Sequence, residues 1–135
     1  MTATTTPKLR AANDSFLRFA LRADATCSGL MGIAAIPLAG WLAAISGTSK
    51  AFEYGMGAFF IAYGVVVFGL AALPSVKRAG MAVIIANLLY TVATVVLVLA
   101  DVFPLTATGV VLTLASGVYT LVFAELQYQG WRRIK

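Results

Sequence analysis

GMAVIIANLLYTVATVVLVLA, residues 80–100, decides the fold, because no charged side chain interrupts it. A helix rising 1.5 Å per residue crosses the ~30 Å hydrocarbon layer of a bilayer in about 20 residues. Three further stretches match it: about Asp24–Ser46, Tyr54–Leu73 and Leu105–Leu126. Turn-forming residues separate the four. Ser46-Gly47-Thr48-Ser49-Lys50 divides spans one and two, Pro74-Ser75-Val76-Lys77-Arg78 divides two and three, and Asp101-Val102-Phe103-Pro104 divides three and four. Connections this short force neighbouring helices to run antiparallel. The expected fold is therefore all-α, a polytopic four-helix transmembrane bundle. Pro37 falls inside span one, where a proline kinks a helix, and Pro104 is expected in the first turn of span four, where its missing N–H costs nothing.

Composition agrees with a chain that has lipid as its main solvent. Of 135 residues 61% are hydrophobic and 11% charged, and the mean hydropathy is +0.92. A soluble domain of this size has too little interior to hide so many apolar side chains. Residues 1–12, MTATTTPKLRAA, read as a polar disordered tail. Residues 13–135 form one transmembrane domain, ending in a short basic tail. From Asn13 the pattern NDSFLRFALR offers Asn13, Asp14 or Ser15 as a helix N-cap. Apolar positions then alternate with Arg18 and Arg22 in a short interfacial helix that leads into span one. A cleaved signal peptide does not fit, since the apolar stretch is too long and too much polar sequence precedes it.

Basic residues set the orientation. Nine of the 10 lysines and arginines lie before span one, between spans two and three, or after span four, and only Lys50 lies on the other side. The positive-inside rule puts the N-terminus, the middle loop and the C-terminus in the cytoplasm. The net charge of +5 sits in short clusters between apolar runs, which fits membrane topology and not nucleic-acid binding.

Chemistry-bearing motifs are few. The chain has one cysteine, Cys27, and no histidine, so disulfide exchange, haem ligation and the common zinc sites lose their residues. Cys27 reads as a small packing residue. No catalytic, cofactor-binding or metal-binding constellation is expected, and the protein reads as non-enzymatic.

In lipid, helices associate through small residues and interhelical hydrogen bonds. Ser28 and Gly32 in span one, Gly57 and Gly64 in span two, Thr91 and Thr94 in span three, and Gly109, Thr113, Ser116, Gly117 and Thr120 in span four form such stripes. They are read as helix-packing faces, with a polar pathway as the alternative. The acids Asp24 and Glu125 fall at the cytoplasmic ends of their spans, and Asn87 lies at similar depth. A cytoplasmic-side polar cluster of Asp24, Asn87 and Glu125 is expected, with Arg18 or Arg22 as counter-ion, leaving the bundle dry at its centre. On that reading Asp24→Asn and Glu125→Gln each disturb fold or activity. The plainer alternative pairs each acid with a nearby arginine.

Small multidrug exporters share this length and helix count, but their essential acid lies mid-way along the first span, where this chain reads GLMGIAAIPLAG. The pattern LRADATCSGLMGIAAIPLAGWLA, a Gly-rich second span, an Asn in the third and AELQYQGWRR at the end resembles small uncharacterised four-helix membrane proteins of high-GC bacteria. The resemblance implies a bacterial inner-membrane location and transfers no activity. The functional expectation is an accessory or scaffold subunit, bound to other membrane proteins or to itself. A small oligomeric transporter or channel is the alternative, and binding of a lipid or other hydrophobic ligand is a third reading.

Overall fold

The structure, a computed structural model, describes the backbone of residues 2–134 and the side chains of residues 13–134. The tail expected at residues 1–12 lies outside the residues whose side chains are described. Four helices and no strand are found among the described residues: α1 Thr2–Ser46, α2 Lys50–Leu70, α3 Lys77–Leu99 and α4 Ala107–Arg132. All four are long and apolar enough to cross a membrane, α1 over Asn13–Ser46. The interfacial segment from Asn13 and span one form one uninterrupted helix that continues through Pro37.

Local chemistry sets the helix ends. Gly47 adopts φ 79° and donates its N–H to the Ala43 carbonyl at 2.9 Å, the left-handed stop that glycine adopts without steric cost. Ser49 starts α2 earlier than the sequence reading, its hydroxyl accepting from the Phe52 N–H at 3.0 Å. Thr106 caps α4 through the Gly109 N–H and donates its hydroxyl to the Ile45 carbonyl, so one residue serves the start of α4 and the end of α1. Pro104 therefore lies outside α4 and not in its first turn, because Thr106 is the better cap. At the other end α4 runs on through Arg132, and most of the expected basic tail is helical.

α1 packs along α2 and α4, α3 packs on α4, and α2 and α3 scarcely meet. The termini and the α2–α3 turn share one end, here the terminal end; the α1–α2 and α3–α4 turns share the loop end. Glycines let α1 and α2 approach closely. A Cβ at Gly32 would lie 2.5 Å from the Gly57 carbonyl oxygen, and one at Gly64 would lie 2.7 Å from that of Ala25. Backbone cannot yield as a flexible side chain does, so Gly64→Ala is expected to destabilise by about 1–3 kcal/mol. Gly69→Ala, whose Cβ meets nothing, should stay within about 0.5 kcal/mol of wild type. Reversible unfolding in mixed micelles checks both, and equal costs would contradict the packing.

The interior is layered. At the terminal end Leu17, Leu21, Ala25, Val67, Ala71, Val76 and Val83 form an apolar core, with Trp131 and Ile134 partly packed against it. Arg18 closes this end. Its guanidinium donates to the Ala71, Leu73 and Pro74 carbonyls at 2.9, 2.6 and 3.0 Å and to Asp14 at 3.0 Å, satisfying carbonyls that the end of α2 leaves open. Leu30, Ile33, Phe59, Val65, Leu89 and Val118 are among the large apolar side chains that face outward.

Candidate functional site

Above the apolar core lies a polar layer built on Asp24, which is fully buried. Its Oδ2 accepts from the Tyr63 hydroxyl at 2.7 Å, Gln127 Nε2 at 2.8 Å and Asn87 Nδ2 at 3.0 Å. Its Oδ1 accepts from Ser28 Oγ at 3.0 Å, and Ser28 in turn meets the Tyr119 hydroxyl at 3.0 Å. Asn87 gives its second amide hydrogen to Gln127 Oε1 at 2.9 Å. All four helices thus converge on one carboxylate, whose acceptor sites are met by neutral donors and, among the described residues, by no cation. Asn87 is one residue from the midpoint of α3 and Tyr63 three from that of α2. The bundle is therefore polar near its centre, not dry as expected.

Asp24 and Asn87 are brought together; Glu125, Arg18 and Arg22 are not part of the cluster. Glu125 is exposed and accepts from Gln129 at 2.8 Å. At 100° per residue, Glu125 and Gln127 stand about 200° apart on α4, so only one can face inward. Arg18 is engaged with Asp14 and the end of α2, and Arg22 is exposed. Cys27 is exposed and not a packing residue. Tyr63, Gln127 and Tyr119 are members the sequence reading missed. Gln127 continues the α4 stripe Gly109, Thr113, Ser116, Thr120 by the same helical steps, and that signal could have found it.

A hydroxyl ladder joins α3 to α4 beside this layer. Thr91 Oγ1 lies 2.9 Å from the Gly117 carbonyl and 2.8 Å from Thr120 Oγ1. A Cβ at Gly117 would strike the Thr94 hydroxyl, and one at Gly109 the Ser46 carbonyl. These residues do pack helices together. Ser116 does so too, through Tyr90 of α3, while Thr94, Thr113 and Ser116 also face a cavity.

That cavity occupies the loop half and measures about 490 Å³. Its floor is the Phe60 and Tyr90 pair, with ring centroids 5.7 Å apart, and Tyr90 donates to Ser116 Oγ at 3.2 Å. Phe60 and Tyr90 each lie three residues from a member of the Asp24 network, Tyr63 and Asn87. Leu42, Leu97 and Leu112 line the walls from α1, α3 and α4, and Met56 and Phe59 line them from α2. Ser46, Thr48, Glu53, Thr94 and Thr113 add polar groups. The opening follows from the sparse contact between the α2 and α3 backbones, where Phe59 and Ala93 are exposed. A largely apolar cavity of a few hundred Å³ with a few polar groups is the usual form of a small-molecule site.

No family model, curated protein or solved structure matches the chain.

Proposed function

We propose that the chain is a multi-pass protein of a bacterial inner membrane, with both termini cytoplasmic, that binds a lipid-soluble amphiphile in the loop-end cavity. The observation that carries this reading is the 490 Å³ cavity at the gap between α2 and α3. In a bilayer such a gap faces acyl chains, so the ligand enters sideways from the membrane. The cavity favours the third reading of the sequence, binding of a lipid or other hydrophobic ligand, over the accessory or scaffold role. A pathway through the monomer is disfavoured, because the saturated Asp24 network and the apolar core lie between the cavity and the terminal end. The orientation rests on the distribution of lysines and arginines, and the bacterial location on the resemblance of the sequence.

Photo-labelling tests the site. A neutral long-chain alcohol carrying a diazirine is expected to label α2 between Phe52 and Phe60 and α3 between Tyr90 and Leu97, and an excess of the unlabelled alcohol should suppress that labelling. Labelling spread evenly over the outward faces, with no competition, would overturn the proposal.

A further inference from the structure

The charges at the cavity are one-sided. Among the described residues, Glu53 is its single ionisable carboxylate, and no lysine or arginine lines it. Glu53 is half-buried in the first turn of α2, where the helix N-terminus favours a negative charge. Thr48 donates its hydroxyl to Glu53 Oε1 at 2.7 Å, which fixes the carboxylate and leaves Oε2 without a partner among the described residues. Lys50, the basic residue of this end, does not neutralise the site, because its ammonium lies 5.6 Å from the centre of the Tyr54 ring and neither residue lines the cavity. Aromatic rings line the same space: Phe52, Phe59, Phe60 and Tyr90. Ring faces carry a negative quadrupole, and aromatic walls beside a carboxylate form the arrangement that recognises quaternary and other weakly hydrated cations.

From this convergence we infer that the ligand is a lipophilic monocation, its charge against Glu53 and its apolar body between the α2 and α3 rings. The inference rests on the proposed binding site and narrows the class of its occupant. An anionic amphiphile would meet an uncompensated carboxylate, and a neutral one would leave Glu53 without a counter-charge. The loop end as a whole favours the same sign, since Glu53 and Asp101 outnumber Lys50 there.

Diphenylhexatriene, its trimethylammonium derivative and its propionate derivative share one apolar rod and differ in charge. Their binding can be followed by energy transfer from protein tryptophan in nanodiscs of neutral phosphatidylcholine, after subtraction of protein-free discs. The cationic rod should bind at least about tenfold more tightly than the neutral rod, and the anionic rod most weakly. Glu53→Gln should reduce the preference for the cation to less than about twofold, whereas Glu53→Asp should retain most of it. Saturable binding of all three rods with equal affinity, or a preference unchanged by Glu53→Gln, overturns the cation and leaves the cavity standing. Saturable binding of none overturns the site itself.

Discussion

Asp24→Leu is expected to destabilise the bundle by about 3 kcal/mol or more, because it leaves the Tyr63, Asn87, Gln127 and Ser28 donors without their acceptor in a dry interior. Interhelical hydrogen bonds in membrane proteins contribute about 0.6 kcal/mol each on average, so the three lost between α1 and the other helices account for roughly half of that. Leaving those buried donors facing an apolar side chain adds the remainder. Asp24→Asn should be far milder, at about 1 kcal/mol, because one amide oxygen can replace Oδ2 toward its three donors. The new NH₂ group then faces Ser28, whose hydroxyl turns to donate to Tyr119, a bond in which either oxygen can be the donor. This reverses the expectation from sequence that Asp24→Asn is itself disruptive. Glu125→Gln should fall within about 0.5 kcal/mol of wild type, since that side chain is exposed and bonded one turn along its own helix. Unfolding by dodecyl sulfate in mixed micelles orders the three variants. Asp24→Asn as costly as Asp24→Leu would show that charge, and not donor matching, holds the helices together.

The second large effect falls on binding. Ala93 stands on α3 at the mouth of the cavity, opposite the α2 aromatics. Ala93→Phe puts a ring into the space and should weaken binding of a neutral apolar probe by at least about tenfold, or 1.4 kcal/mol. Stability should change little, because Ala93 is exposed and the added ring enters open space, with no packed core to distort. A parallel loss of stability and binding would instead mark the cavity as part of the folding core. The pairing of Ala93→Phe with Asp24→Leu separates the two layers: the first acts on the ligand, the second on the bundle.

The helix count and the antiparallel run of successive helices were legible in the sequence because they depend on run length and turn chemistry alone. Asp24 and Asn87 could be placed together because both lie on stripes of small and polar residues at similar depth. Glu125 misled, since depth was judged without helical phase, and the two-residue step to Gln127 turns the helix to its opposite side. Arg18 misled for a different reason. A cation four residues from Asp14 and six from Asp24 reads as a counter-ion, but the free carbonyls at the end of α2 compete for it and are invisible in the sequence. Tyr63 carries a signal of its own: a hydroxyl near the middle of an apolar span needs a partner, and three other helices could supply one. The cavity left no local trace. It arises because α2 and α3, joined by the connection at residues 71–76, touch through side chains such as Tyr63 with Asn87 and Phe60 with Tyr90 and leave a gap toward the loop end, a property of how the helices lean and not of any one segment.

Whether the loop-end cavity holds a lipid-soluble molecule is decided by titrating diphenylhexatriene into nanodiscs carrying the wild-type protein or Ala93→Phe. Wild type should give a saturable signal of about one probe per chain, absent or strongly weakened in Ala93→Phe. A signal that rises without saturation and is the same for both proteins and for protein-free discs would contradict such binding.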